Sequence, residues 1–237
     1  KAVHKAPMDF APTDFVVVDA VEGKRYREIM GFSNITGDFK GLTFSPDSKR
    51  VAYVADVAEH GRRSEYVAVV DGKEEGREFN KIEYPIFFSP DSKRLAYKIW
   101  SNERFFIVVD GKKEGPYYSV DSDIFFSSDS KRVAYIAAID WKGKSVVIDG
   151  KGGKKYDDVY PPIFSPDSKR VAYGAKGAND LFVVIDEQEG KEYNNIGKPV
   201  FSPDSKRVAY AAKKEDKSLV VVDGNEGKKY ERISISI

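Results

Sequence analysis

The sequence predicts an all-β protein, a six-bladed β-propeller with four antiparallel strands in each blade. Three observations carry that prediction. The string Phe-Ser-x-Asp-Ser-Lys-Arg occurs five times, beginning at Phe44, Phe88, Phe126, Phe164 and Phe201, at intervals of 37 to 44 residues. Each copy is followed by the same succession of apolar strings of strand length. No stretch sustains the 3.6-residue period of a helix. Short strands repeated at about 40 residues are a propeller signature.

Each element of the unit has a local reason. Strand A ends at the Phe. The Ser-Pro-Asp-Ser that follows suits a tight turn, because Pro presets φ and the Asp and Ser side chains bond nearby backbone N–H groups. Asp47 and its equivalents are therefore read as turn caps, not calcium ligands, which would need several oxygens at close spacing. Strand B is Lys-Arg-Val-Ala-Tyr or its Leu variant. Val51 and Tyr53 share one face and Ala52 takes the other, since side chains alternate along a strand. A large face and a small face suit sheets stacked on one another. Strand C is a Val-rich run ending at Asp71, Asp110, Asp149, Asp186 or Asp223. The Asp-Gly hairpin after it exploits the tolerance of Gly for positive φ. Strand D carries an aromatic, read as Phe79, Tyr118, Tyr156, Tyr193 and Tyr230. The run from Gly150 to Lys155 lacks the ending and the helix of a phosphate loop and reads as a loose turn of this hairpin.

A sixth copy is split between the two ends of the sequence. Lys1 to Ala6 align with Lys206 to Ala211 as a strand B, Asp19 closes a strand C, and Tyr26 supplies the strand-D aromatic. Ile233 to Ile237 fall where a strand A is due. The expectation is a single domain, 1–237, whose closing blade is built from 1–31 plus 233–237. Closure of this kind removes the exposed sheet edges of an open array.

Composition narrows the function classes. Lys and Arg number 39 against 38 Asp and Glu, and they recur evenly, so no basic face marks a nucleic-acid partner. No apolar run reaches membrane-spanning length, and no membrane insertion is expected. There is no cysteine, which excludes disulfides and thiolate metal sites. A monomer is expected. The start at Lys1, without methionine, suggests a processed form or an excised domain.

The string from Phe164 to Tyr173, Phe-Ser-Pro-Asp-Ser-Lys-Arg-Val-Ala-Tyr, resembles the WD-like propeller repeat of TolB-like proteins and of prolyl-oligopeptidase propeller domains. The resemblance runs in register over nearly the whole chain. It implies the propeller fold, and through the TolB-like members a periplasmic or extracytoplasmic location. It implies no single activity, because the family spans scaffold proteins, protease-associated domains and lyases. The N-terminal domain of TolB has no counterpart here.

The residues themselves point away from catalysis. No Gly-x-Ser-x-Gly elbow is present; Gly31-Phe32-Ser33 continues with Asn34-Ile35. The only histidines, His4 and His60, fall in different repeats, which disfavours a histidine metal site. Asn34-Ile35-Thr36 is a formal glycosylation sequon, a chance-level match. No catalytic residue, metal or cofactor is assigned.

A protein or peptide partner remains the expected ligand. The A–B and C–D turns share one rim of a meander, and they barely vary from copy to copy. The B–C and D–A loops share the other rim and vary strongly, and binding residues sit preferentially on such loops. The candidate binding rim is His60, Arg62, Arg63, Trp100, Arg104, Asp140 and Trp141, with both tryptophans placed in B–C loops. A second set, Lys40, Tyr84, Asp123, Tyr160 and Lys198, precedes the strand-A Phe residues and would ring the channel mouth. The expected function is a non-catalytic scaffold binding a protein or peptide through this rim. The alternatives are an accessory propeller excised from a larger peptidase or lyase, and a duplicated, consensus-like scaffold with no retained ligand.

Overall fold

All regular structure in the computed structural model is β; it describes residues 2–4, 14–31, 41–58 and 62–231, and among them there is no helix. The chain divides into two units, Lys1–Pro116 and Tyr117–Ile237.

In the first unit, β1 (Ala2–His4), β2 (Phe15–Val18) and β3 (Val21–Glu22) form a three-stranded sheet. The fourth strand expected there, 233–237, lies outside the described residues. A second sheet follows, with β4 (Glu28–Ile29) and β5 (Leu42–Phe44) both paired to β6 (Val51–Asp56), then β7 (Tyr66–Val70) and β8 (Lys73–Phe79). The third is a continuous meander of β9 (Lys81–Phe88), β10 (Leu95–Ser101), β11 (Arg104–Val109) and β12 (Lys112–Tyr117).

The second unit repeats the plan. Its first sheet is β13 (Ser119–Phe126), β14 (Val133–Ala138), β15 (Ser145–Ile148) and β16 (Lys151–Gly152). In the next, β17 (Asp158–Val159) and β18 (Ile163–Phe164) flank a break and pair with β19 (Val171–Lys176), followed by β20 (Leu181–Ile185) and β21 (Gln188–Glu189). The last has β22 (Asn195–Ile196) and β23 (Val200–Phe201) on β24 (Val208–Lys214), then β25 (Lys217–Val222) and β26 (Asn225–Glu226). Pro161, Pro162 and Pro199 lie in the strand-A breaks of the last two sheets and add no N–H to the ladder there.

The hairpin Asp has two functions. Asp71 (φ 52°) and Gly72 (φ 77°) both lie in the left-handed region, the geometry of a two-residue type I′ turn. The Asp71 carboxylate also accepts the Val51 N–H at 2.9 Å and the Arg50 Nε–H at 2.8 Å. Asp149 and Asp223 hold Arg132 and Arg207 in the same way. Asp186 does so for Arg170, although Glu187 replaces the glycine there at φ 68°.

The Ser-Pro-Asp-Ser turn is capped as expected and also reaches further. Ser45 Oγ donates to Asp47 Oδ1 at 2.6 Å, and that oxygen accepts the Lys49 N–H at 3.1 Å. The Ser45 hydroxyl, seconded by the Lys49 amide, holds the Asp47 carboxyl below the usual carboxylate range, and Asp129, Asp167 and Asp204 are lowered likewise. The turn then grips its neighbour. The Asp47 N–H donates to Ser92 Oγ of the next sheet at 3.1 Å, and Arg50 Nη1 donates to the Ser92 and Lys93 carbonyls at 3.0 and 3.2 Å. The guanidinium also lies 5.4 Å from the Phe88 ring. In the second unit Arg132 reaches Ser168, Lys169 and the Phe164 ring, and Arg170 reaches Ser205, Lys206 and the Phe201 ring.

Between the clasps the sheets pack through the alternation read from the sequence. Ala52, Ala96, Ala134 and Ala172 are fully buried on the small face. On the large face, strand-D tyrosines meet strand-B tyrosines of the following repeat edge-on. The ring pairs are Tyr26–Tyr53 at 6.1 Å, Tyr117–Tyr135 at 5.9 Å, Tyr156–Tyr173 at 6.5 Å and Tyr193–Tyr210 at 6.2 Å.

Two expectations need correcting. The strand-D aromatic of the third repeat is Tyr117, whose hydroxyl is 2.8 Å from that of Tyr135, whereas Tyr118 is exposed. The Gly150–Lys155 run is not a loose turn. Gly150 completes the hairpin, Lys151–Gly152 is strand, and Gly153 N–H bonds back to the Val146 carbonyl, bending the chain so that Tyr156 pairs with Lys144.

The clasp makes a graded prediction. The Arg170 side chain is 31% exposed and reaches the next sheet, whereas that of Arg207 is 64% exposed and bonds Asp223 of its own sheet. Arg170→Ala is expected to lower unfolding free energy by about 1–3 kcal/mol in urea melts, and Arg207→Ala by under ~1 kcal/mol. Equal losses would remove the inter-sheet bonds from the explanation.

Alkaline pH gives a second test. Burial, with Glu75 adding to it, pushes Tyr97 up to about 12, and burial first of all raises Tyr26, Tyr156 and Tyr193 from the ordinary 10.0. The folded state therefore holds these protons more tightly than the unfolded chain. Their stabilisation is complete below about pH 10 and is lost as pH rises toward and past ~12. Urea midpoints are expected to be level from about pH 8 to 9.5 and to fall above that, less steeply in Tyr97→Phe.

Candidate binding rim

The B–C and D–A connections are built on strands that are themselves fixed. In the second unit β14 is buried from Val133 through Ala138, and the chain leaves the core at Ile139. The following loop is held by Asp140. Its Oδ1 accepts the Lys142 N–H at 2.8 Å, and Lys155 Nζ lies 3.0 Å from both carboxylate oxygens. Lys155, then the Lys142 amide, keep the Asp140 carboxyl below the usual carboxylate range. Gly143, at φ 151°, closes the loop where a Cβ would stand 2.2 Å from the Tyr156 carbonyl oxygen. Asp140 thus organises the loop, and Trp141 is held outward.

Trp141 is 77% exposed and Ile139 70%. The Lys142 ammonium lies 5.6 Å from the Trp141 ring. Ser119 pairs with Ala138, and the Tyr118 N–H donates to the Ala138 carbonyl at 2.7 Å, which sets Tyr118, 54% exposed, beside Ile139. Three large apolar side chains therefore leave the core at one strand end, next to a cation. Exposed large apolar side chains grouped at one strand end are a mark of interaction sites.

The candidates of the first unit are arranged differently. Trp100 is not in a loop. It lies in β10, half-buried, opposite Phe105 and Lys81. The sequence reading failed because β10 and β11 extend to a tight turn at Asn102–Glu103, where both residues have positive φ. Arg104 begins β11, exposed, with Nη1 on the Glu103 carbonyl at 3.0 Å. Arg62 and Arg63 are exposed on the segment after β6. Its base is fixed by buried Asp56, which accepts the Ala58 and Glu65 N–H groups at 2.9 and 3.3 Å and lies 3.7 Å from Arg27 Nη1. His60 lies outside the described residues, as does Lys40.

Of the channel-mouth candidates, Tyr84 is exposed in β9 and Asp123 in β13. Tyr160 and Lys198 are brought together. They line one cavity of about 210 Å3 with Pro161, Gly174, Ile196, Gly197 and Pro199. The strand-A breaks shape it, with Tyr160 N–H on the Gly174 carbonyl at 2.9 Å and Gly197 N–H on the Ala211 carbonyl at 2.8 Å. Gly174 takes the strand-B position that Ile136 fills in the preceding repeat, where the isoleucine is buried against Val159 and Val171. The sequence reading missed Gly174, Ile196 and Pro199. The break in the Val-Ala-Tyr-apolar pattern at Gly174 was the available signal.

Among the described residues no group of three or more His, Cys, Asp or Glu side chains could hold a metal ion, and no helix is long and apolar enough to cross a membrane. No protein-family model matches the sequence, and no curated protein matches it. Among solved structures, the chain is similar to β-propeller proteins. TolB from Acinetobacter baumannii aligns at 19% identity and TM-score 0.41, over 81% of this chain and 55% of that one. The β-propeller domain of the trilobed protease from Pyrococcus furiosus aligns at 14% identity and TM-score 0.45, over 75% and 66%. Acylaminoacyl peptidase from Pyrococcus horikoshii aligns at 16% identity and TM-score 0.40, over 74% of this chain and 36% of that one. TolB-like and peptidase-type propeller domains are its structural neighbours.

Proposed function

We propose that this chain is a non-catalytic six-bladed propeller that binds a protein or peptide through its B–C/D–A rim. One observation carries the reading. Tyr118, Ile139 and Trp141 are exposed together at a strand end whose loop is fixed by Asp140, Lys155 and Gly143. A rigid loop presenting Trp and Tyr has the anatomy of a binding hot spot, in which a few aromatic anchors carry most of the energy. The near balance of 39 basic and 38 acidic residues favours such a partner over nucleic acid or an anionic membrane. The absence of a nucleophile elbow favours binding over hydrolysis.

The test is panning of a random peptide library on the full chain, with the Tyr118→Ser/Ile139→Ser/Trp141→Ser variant as counter-selection. Selected peptides are expected to lose about tenfold or more in affinity for the variant. Peptides that bind both proteins equally would move the site elsewhere.

The proposal includes closure of the ring by 1–31 and 233–237. Its support is the outer face of the last sheet. Val220 and Tyr230 are 36% and 49% exposed, whereas their equivalents Val183 and Tyr193 are buried at 0% and 1% under the next sheet. An apolar face of that kind needs a cover. Deleting 233–237 is expected to lower the melting temperature by several degrees, about 1–3 kcal/mol in a chain of this size. An unchanged melting temperature in a monomer would rule the strand out of the fold.

A further inference from the structure

We propose that the cavity beside Gly174 receives the C-terminal residue of a peptide, taking its apolar side chain between Tyr160 and Ile196 and its carboxylate on Lys198. The proposal rests on the peptide-binding reading above and names the end of the peptide that is recognised.

Size comes first. At about 210 Å3 the cavity is smaller than the roughly 300–1,000 Å3 of pockets that enclose drug-sized ligands. It suits one side chain, not an extended ligand. Its walls are apolar and stiff. Pro161 and Pro199 have fixed φ, Pro199 is buried, and Gly174 offers no side chain. At the equivalent strand-B position the preceding repeat carries a buried Ile136, whereas here Ile196 and Tyr160 close in on Gly174. A Cβ on Gly174 would meet Ile196 Cδ1 and Tyr160 Cδ2 at 2.9 Å each, so glycine is required for these two walls to stand where they do.

Charge fixes the second half of the ligand. The lining holds one ammonium, that of Lys198, and no carboxylate. Among the described residues no Asp or Glu oxygen lies within 4.0 Å of Lys198 Nζ. Lys198, exposed and among the residues that line this apolar hole, is the one cation there. A terminal carboxylate one bond from an apolar residue's Cα complements that charge, and capture of a C-terminal carboxylate by such donors is a recurring recognition mode. A side-chain carboxylate would have to enter with its own polar stem.

The experiment uses the full chain and three fluorescein-labelled hexapeptides read by anisotropy. One ends in leucine with a free carboxylate, one is its C-terminal amide, and one ends in serine. The leucine acid is expected to bind at least about tenfold more tightly than the amide or the serine peptide. Lys198→Gln is expected to abolish the acid–amide difference. Gly174→Val is expected to abolish the leucine–serine difference. Lys198 is exposed, so its variant tests the site even where Gly174→Val disturbs the packing. Equal binding of acid and amide, or a difference that survives Lys198→Gln, overturns the proposal. Library peptides that lose affinity for the Tyr118/Ile139/Trp141 variant, while the three hexapeptides show no discrimination, overturn the cavity and leave the rim reading standing. Failure of library and hexapeptides alike overturns both.

Discussion

The fork of a strand-B arginine sets the spacing of everything else. Arg170 is held in its own sheet by Asp186 at 2.7 Å, reaches the Ser205 and Lys206 carbonyls of the next at 3.3 and 3.0 Å, and lies 5.4 Å from the Phe201 ring. One planar group therefore fixes a hairpin, an adjacent turn and the distance between two sheets. A lysine would supply the charge without the fork. The accepting carbonyls are available because the second Ser of the turn adopts positive φ, 64° at Ser168 and 63° at Ser205, which turns the local backbone toward the neighbour. The recurrence of Phe-Ser-x-Asp-Ser-Lys-Arg follows from this. Phe is the surface beneath the guanidinium, Ser and Asp hold the turn, and Arg makes the connection.

That arrangement leaves the two ends of each sheet under different constraints. At the clasp end, altering any of four residues disturbs two sheets at once. At the other end, the B–C and D–A segments emerge from strands already fixed in register and spacing. They can lengthen, tighten to Asn102–Glu103, or project Trp141, without consequence for the stack. In the second unit, the prolines within strand A stand toward its D–A end, at 161, 162 and 199, while Pro166 and Pro203 lie in the A–B turns. Loss of an N–H at Pro161 or Pro199 costs a ladder bond near the rim, where the chain can bend away, and leaves the clasped half of the strand paired at Ile163–Phe164 and Val200–Phe201.

Most of the fold was legible because it is periodic. The A–D strand plan, the Asp hairpins and the Val/Tyr against Ala alternation all appear as fixed offsets along the chain. The error at Tyr118 shows what happens when an offset is ignored. Counted from the hairpin Asp, Tyr117 stands at the same distance as Tyr156, Tyr193 and Tyr230, so the buried aromatic of that repeat follows from the offset. The reach of Arg50 to Ser92 could not be read, since residues 42 apart meet only through sheet stacking. Trp100 lies in a strand and not a loop because β10 and β11 run to a two-residue turn at Asn102–Glu103, which the repeat spacing does not reveal. Asp140 and Trp141 stand side by side in the sequence, where their roles cannot be separated. Only the Lys155 and Lys142 contacts show that one holds the loop and the other is displayed.

The cavity at Gly174 was hidden for the opposite reason. In a repeat protein, packing faults appear as departures from the pattern, and a departure can mean drift or use. Gly174 departs together with two other features that drift would not coordinate. Pro161 and Pro199 both line the cavity, and Lys198, its one cation, lines it with them. Alanine or isoleucine is available at that position elsewhere in the same unit, as Ala211 and Ile136 show. Glycine stands at 174 because a Cβ there would meet Ile196 and Tyr160 at 2.9 Å, and the cavity lies among the walls that this close approach positions.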